Sequence, residues 1–86
     1  MKMTLEEFRN DVLAAMSYNK PKNWRNGQFV FNYINKKYRV AKYVQFIHGV
    51  DCFHNDEKID EFIVRCYETL MAAEENKNAL SEIKSN

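Results

Sequence analysis

The sequence has very little glycine and proline, with two glycines and one proline in 86 residues. Because these residues interrupt helices, their scarcity indicates helices joined by short connections. The chain has only two cysteines, Cys52 and Cys66, which is too few for a disulfide framework. No apolar run approaches the roughly 20 residues of a membrane span, and Met1–Asn10 is too polar for a signal peptide. We therefore expect a soluble, cytosolic protein with no membrane partner.

The chain also lacks a large net charge. Thirteen basic and twelve acidic residues give a formal net charge of +1. Broad binding to long nucleic acid depends on excess positive charge, so we do not expect this class of partner. The sequence contains no phosphate-binding loop, dinucleotide-binding fingerprint or serine nucleophile motif. We therefore predict that the protein is not an enzyme.

Apolar residues, by contrast, make up 45% of the sequence, and aromatic residues make up 14%. A domain of this size buries only about 60% of its unfolded surface, so some aromatic side chains should remain exposed. Exposed apolar patches on small proteins commonly become subunit contacts or ligand pockets. We therefore predict a single domain over residues 1–86 that assembles as a homo-oligomer.

Apolar residues recur at helical spacing along most of the chain. A capping box formed by Thr4 and Glu7 predicts a first helix from residue 5 to about residue 17. A second helix is predicted from residue 24 or 27 to residue 37. These elements indicate an all-α fold, a small bundle of three to four helices.

The second half of the chain is less uniform. Residues 38–53 fit a short helix ending at Gly49 or a hairpin, and we favour the helix because a lone hairpin would be marginally stable. A last long helix is predicted from residue 55 or 56 to about residue 76. The ordered core is therefore expected over about residues 4–76, followed by a fraying C-terminal end.

The most unusual stretch is N-W-R-N-G-Q-F-V-F-N, residues 23–32, which holds the only tryptophan. Free N–H groups at a helix start, with Lys22 and Arg25 beside them, suit a phosphate. Trp24 offers a flat face, and stacking on a base can contribute roughly 1–3 kcal/mol. Gly27 would allow another group to approach the backbone closely. The alternative is an ordinary helix cap, a core tryptophan and a hydrated basic loop.

A second polar cluster consists of Asp51, Cys52 and His54. A cysteine–histidine nucleophile pair is conceivable here, but the spacing lacks the second pair of ligands that a zinc site needs. We favour a turn in which Asp51 caps the chain and Cys52 packs inward. Cys66 lies within an apolar stripe and is expected in the core.

Two motifs resemble a known family. They are W-R-N-G-Q-F-V-F-N, residues 24–32, and D-C-F-H-N-D-E-K-I-D-E-F, residues 51–62. The pattern is similar to R-x-G-Q-x-x-F-N followed by D-P-F-Y-x-D-x-(R/K)-I-x-x-F in small phage proteins. We identify these with the phage anti-CBASS sponges, which sequester cyclic oligonucleotide signals. The resemblance covers about residues 4–67.

The resemblance implies an all-helical protomer assembled into a homohexamer in the host cytoplasm. It implies binding of cyclic dinucleotides, such as cyclic GMP-AMP, between protomers. Cyclic trinucleotides would bind at a second kind of site. The signal would be held and not cleaved, so that the host effector is never activated. The resemblance also implies that no cofactor and no metal are involved.

The resemblance also implies particular site residues. Phe8 matches the family's base-stacking aromatic residue, and Lys22 matches its phosphate-binding lysine. Trp24 and Arg25 lie beside Lys22 and complete the predicted cyclic dinucleotide site. Phe8 in place of a tyrosine would keep stacking but lose a hydroxyl group.

For the cyclic trinucleotide site, Lys58 matches a basic residue of the family motif, and Arg65 is a further candidate. The chain departs from the family pattern at Cys52, which replaces a proline, and at His54, which replaces a tyrosine. Both departures concern the second motif.

The alternative hypothesis is a small helical phage module that docks on a host protein. Such a module would expose an apolar stripe of the last helix. That stripe consists of Ile59, Phe62, Ile63, Cys66 and Leu70. A third hypothesis, a nucleic-acid-binding regulator, would require a basic helix face, which the helical pattern does not show.

Overall fold

The computed structural model describes the backbone of residues 3–84 and the side chains of residues 3–74. Within that backbone the chain forms four α-helices and no β-strand, which confirms the predicted all-α fold. The α-helices are α1 (Leu5–Asn19), α2 (Asn26–Lys37), α3 (Ala41–Tyr43) and α4 (Ile59–Lys84). Helix α3 continues directly as a π-helix, Val44–His48, and a 3-10 turn, Asp56–Lys58, leads into α4.

The capping box predicted at the start of α1 is present. The Glu7 N–H donates to Thr4 Oγ1 at 3.1 Å, and the Thr4 N–H donates to Glu7 Oε1 at 2.9 Å. These bonds satisfy backbone donors that have no partner within the helix. The helix extends to Asn19, two residues beyond the predicted end.

The core is formed by the inner faces of all four helices and by the loop after the π-helix. Helix α4 contributes Phe62, Ile63 and Cys66, each fully buried. The prediction that the α4 stripe is exposed as a docking face is therefore wrong, because α1, α2 and the π-helix cover it. The other buried core residues are Phe8, Val12, Val30, Phe31, Ile34, Ala41, Val44, Val50 and Cys52.

The helix preferred for residues 38–53 is confirmed, and the hairpin is wrong. Helix α3 and the π-helix together form one segment, Ala41–His48, which we call the α3–π segment. Gly49 ends it with a φ of 71°, a left-handed conformation that glycine adopts without steric cost. Arg39, just before the segment, also adopts a left-handed conformation, with a φ of 63°. Because it has a side chain, this conformation carries a steric cost at Arg39.

Helix α4 follows the 3-10 turn and continues to Lys84, beyond the predicted end near residue 76. The C-terminal end that was predicted to fray lies after residue 76, where the side chains are outside the described residues. In the described part of the chain, no helix is both long and apolar enough to cross a membrane.

Candidate anion-binding site

The loop between α1 and α2 is braced by hydrogen bonds of its own. The Trp24 N–H donates to the Pro21 carbonyl at 3.1 Å and closes a turn. The Lys20 ammonium donates to the Trp24 carbonyl at 2.7 Å and to the Pro21 carbonyl at 3.3 Å. Lys22 therefore lies in an ordered turn, exposed, with no hydrogen bond or ion pair to any described residue. Its ammonium is free to meet a phosphate.

Trp24 is half-buried beside this lysine. Its ring lies 6.3 Å from the ring of Phe29, tilted by 53°, and Phe29 stacks in turn on Tyr33 at 5.8 Å. These contacts hold the indole against α2 while leaving part of it open to solvent. Lys22 and Trp24 thus belong to the same loop, and the indole is not sealed inside the protomer.

Arg25 is exposed, but its guanidinium is already engaged. It donates to the carbonyl of Phe53, in the loop that carries the second sequence motif. The two motifs, separated by about 20 residues of other sequence, are therefore in direct contact. Arg25 positions that loop against α2.

The start of α2 is in contact with the same loop. The Gly27 N–H donates to Asp56 Oδ1 at 3.0 Å, and the Cys52 thiol donates to the Gly27 carbonyl at 3.4 Å. A Cβ at residue 27 would lie 1.9 Å from the Cys52 carbonyl oxygen, so only glycine fits. The predicted close approach at Gly27 is present, and the approaching group is the protein's own backbone.

This arrangement changes the interpretation of the helix start. The anion that the α2 N-terminus attracts is the Asp56 carboxylate, which satisfies one of the free N–H groups. A phosphate at this helix start would therefore have to share it with the Asp56 carboxylate. The expectation that a phosphate binds near the loop stays a prediction, with Lys22 as its unpaired cation.

Phe8 lies elsewhere. It is fully buried, with its ring 4.9 Å from Tyr38 and 6.0 Å from Tyr67. The structure therefore does not bring Phe8 to the loop, and its ring is not available to stack on a ligand. The reason is its place on the inner face of α1, one helical turn before the fully buried Val12.

The two cations proposed for a second site lie on the α4 side of the molecule. Lys58 is 3.7 Å from Glu61, and Arg65 is 3.2 Å from Glu68. All four side chains are about half exposed, and such surface pairs contribute little to stability. Lys58 and Arg65 are seven residues apart, about 10 Å along the helix axis. The structure does not gather them around a common cavity.

The second polar cluster forms a turn. Asp51 Oδ1 accepts from the Phe53 N–H at 3.0 Å, and Asp51 Oδ2 lies 2.8 Å from His54 Nδ1. Burial would raise the pKa of Asp51, but hydrogen bonds from His54 and Gln45 outweigh it and lower the pKa. Burial raises the pKa of the Cys52 thiol to about 12, so it stays protonated at neutral pH. The histidine contacts the aspartate and not the thiol.

A separate network anchors the other end of α2. Asp11 accepts hydrogen bonds from the hydroxyls of Tyr33 and Tyr38 and from the Lys37 ammonium. Burial would raise the pKa of Asp11, but these bonds lower it overall. The bond to Asp11 raises the pKa of Lys37, whereas burial and the same carboxylate raise the pKa of Tyr38 to about 12. The network therefore joins α1 to α2.

Positive and negative charges are separated along the chain, a feature that the motifs do not indicate. Residues 12–50, which we call the acid-free segment, contain seven of the thirteen basic residues and none of the twelve acidic residues. The net charge of +1 conceals this separation, which counting charges in windows would have found. Its basic residues are Lys20, Lys22, Arg25, Lys36, Lys37, Arg39 and Lys42.

Comparisons with known proteins found no matching family model, curated protein or solved structure. Any assignment of function therefore depends on the residues of this chain and on the motif resemblance.

Proposed function

We propose that this protein is a phage-encoded sponge that binds cyclic oligonucleotide second messengers in the host cytoplasm and keeps them from CBASS effectors. The observation that carries the proposal is the pair formed by Lys22 and Trp24. Lys22 is exposed without a partner among the described residues, and the half-buried Trp24 follows it by two residues in the same hydrogen-bonded loop. A phosphate and a base are the two groups that such a pair recognises.

The loop that carries Lys22 and Trp24 lies next to a large exposed aromatic side chain. Tyr18, at the end of α1, is 86% exposed and leads directly into the loop. A second copy that covers Tyr18 would add a wall to the site and remove water from it. We therefore propose that cyclic dinucleotides such as cyclic GMP-AMP bind between protomers of a homo-oligomer, specifically a homohexamer.

The contact between the two motifs supports this function indirectly. Because Arg25 and Asp56 tie the start of α2 to the second motif, they fix the base of the loop that presents Lys22. A preorganised loop loses less conformational entropy when a ligand binds. The polar residues of the two motifs then position the site, and Lys22 and Trp24 contact the ligand.

Cyclic trinucleotides would bind at a second site that includes Lys58 and Arg65. Each of these cations is paired with a glutamate on the protomer surface. Such pairs are weak in water and exchange readily for a phosphate. Phe8 has no part in either site, because it lies in the core.

Isothermal titration of the full-length chain with cyclic GMP-AMP and with cyclic tri-adenylate tests the proposal. We expect Lys22→Ala to weaken binding of cyclic GMP-AMP about tenfold, since one charge-assisted contact is lost. Lys36→Ala is the matched control, because Lys36 is also exposed and without a partner but lies at the far end of α2.

The titration has two informative failures. No heat with either ligand on folded protein would remove the proposed function. Equal losses in Lys22→Ala and Lys36→Ala would retain a general anion binder and remove the site assignment. Light scattering on the same samples measures the oligomeric state, for which we expect a hexamer.

The alternative hypothesis, a small helical phage module that docks on a host protein, required an exposed apolar stripe on α4. The α4 stripe that it required is covered by the rest of the protomer.

A further inference from the structure

A group of apolar side chains protrudes from the α3–π segment. Phe46 is 77% exposed, Ile47 is 64% exposed and Tyr43 is 51% exposed. Phe46 and Ile47 follow Tyr43 by three and four residues, a spacing that places side chains on one side of a helix. Val44 is fully buried and anchors the segment in the core. The fold therefore holds these three side chains outward on a fixed support.

Free cations lie next to this protrusion. Arg39 and Lys42 are exposed, and their side chains make no hydrogen bond or ion pair with any described residue. Both belong to the acid-free segment, so no acid close in sequence offsets their charge. The surface that combines them with Tyr43, Phe46 and Ile47 is both basic and apolar, and we call it the basic apolar patch.

A groove of about 620 Å³ separates the patch from α4. Its floor includes Ala72 and Ala73, and Arg39 lies at its edge. The acid that lines it, Glu68, is paired with Arg65 at 3.2 Å. Because Arg65 offsets the charge of Glu68, Arg39 leaves a positive charge at the groove. A positive charge favours an anionic partner.

A second copy of the chain matches this patch poorly. A two-fold contact centred on Phe46 would bring the Lys42 side chains of both copies together, which is unfavourable. The exposed large apolar side chains of the described residues, including Tyr18, all lie in the acid-free segment. The acidic surface of another copy therefore has no large apolar side chains to meet Phe46 and Ile47.

We propose that the basic apolar patch binds the surface of anionic lipid membranes. Phe46 and Ile47 enter the boundary between headgroups and acyl chains, and Tyr43 lies at headgroup level. Arg39 and Lys42 meet the lipid phosphates. The bases of a single-stranded nucleic acid stack on aromatic rings such as Phe46 and Tyr43. They cannot stack on Ile47, which has no aromatic ring, so the patch fits a lipid surface better.

This proposal departs from the expectation that the chain has no membrane partner. That expectation followed from the absence of a long apolar run. Binding at the surface needs only a few exposed apolar side chains and local cations. The patch is separate from Lys22 and Trp24, so the proposal does not rest on the proposed function.

Co-sedimentation of the full chain with vesicles tests the proposal. The probe vesicles contain equal parts of phosphatidylcholine and phosphatidylglycerol, and the reference vesicles contain phosphatidylcholine alone. We expect binding to the anionic vesicles to be about tenfold tighter, and to weaken as salt is added.

Two sets of variants test the residues of the patch. Phe46→Ser combined with Ile47→Ser should weaken vesicle binding about a hundredfold, because both inserted side chains are lost. Lys42→Gln should weaken it about fivefold. Asn10→Asp on α1 changes the net charge by the same amount and should have an effect of less than about twofold.

Three results would overturn the proposal. The first is no sedimentation of folded protein with anionic vesicles. The second is binding to oligothymidylate that the double serine variant weakens in the same proportion, which would make the patch a nucleic-acid surface. The third is a wild-type oligomer that the double serine variant converts to monomers without any vesicle binding, which would place the patch between copies. Because Phe46 and Ile47 are exposed, circular dichroism should show the variants folded.

Discussion

The two ends of helix α2 use their polar and charged residues in different ways. At the start of the helix, the Gly27 N–H and the Arg25 guanidinium contact the loop that carries the second motif. Beyond its end, past the Asp11 network, the side chains of Arg39 and Lys42 have no partner among the described residues. The start resembled a ligand site in the sequence, yet most of its groups are used inside the protomer.

A motif of arginine, glycine and aspartate does not by itself identify a ligand site. Arginine, glycine and aspartate recur where a backbone must be approached closely and its polar groups satisfied, whether the approaching group is a ligand or the same chain. Here the partner of Gly27 is the Cys52–Asp56 loop. Lys22 and part of Trp24 remain exposed at this end of the helix.

The largest effect is expected at the start of α2. Gly27→Ala would place a Cβ 1.9 Å from the Cys52 carbonyl oxygen and 2.9 Å from Asp56 Oδ1. Because a backbone atom must move, we expect the free energy of unfolding to fall by about 3 kcal/mol, measured by urea denaturation. Gly49→Ala is the matched control, since it meets no atom within 4 Å and only its positive φ is unfavourable. It should cost about 1 kcal/mol. Equal costs would show that the contact between the motifs is loose.

A smaller effect is expected at the Asp11 network. Asp11→Ala removes the acceptor for Tyr33, Tyr38 and Lys37 and should cost about 2 kcal/mol at neutral pH. Asp60→Ala, which removes an exposed carboxylate without a described partner, should cost less than about 0.5 kcal/mol. Thermal unfolding of both variants compares the two carboxylates.

The same network predicts a dependence of stability on pH. The folded pKa of Asp11 lies below its ordinary 3.8, so its contribution is present above that pH and is lost as the pH falls through the folded pKa. The pKa of Tyr38 rises from 10.0 to about 12, so the folded state loses stability as the pH rises through this window. Lys37, with a raised pKa, loses its contribution in the same direction. Asp11→Ala should flatten the unfolding profile at both extremes, and an unchanged profile would exclude the network as its cause.

The smallest effect is expected at Arg39. Its φ of 63° is unfavourable for a residue with a side chain, so Arg39→Gly should stabilise the protein by up to about 1 kcal/mol. Lys36→Gly, in the last turn of α2, should instead destabilise it by up to about 1 kcal/mol. Melting temperatures that shift in opposite directions would confirm the conformational cost at Arg39. A loss of stability in Arg39→Gly would show that the side chain contributes more than its conformation costs.

Much of the fold could be predicted from local patterns. The Thr4 capping box, the α2 stripe and the helix ending at Gly49 all depend on residues close in sequence. The end of α4 was predicted too early, because the weak apolar pattern after residue 76 does not show where a helix stops. The π-helix had no sequence signal that we recognised.

The candidate site was harder to predict. The sequence placed Lys22, Trp24 and Arg25 together, and they are neighbours in one loop. It could not show that Arg25 is engaged by Phe53, since that contact joins residues 28 positions apart. Phe8 could have been recognised as a core residue from its spacing with Val12, but the family resemblance pointed to a ligand contact.

The sequence by itself determined the helical elements and the separation of charge along the chain, because these depend on neighbouring residues. Only the tertiary structure decided which groups remain available for binding. It covered Phe8 and the α4 stripe, placed the Asp56 carboxylate at the start of α2, and left Lys22, Lys42, Phe46 and Ile47 exposed. The physical reason is that burial and hydrogen bonding are settled between segments far apart in the chain, where one side chain satisfies a group that would otherwise be free for a ligand.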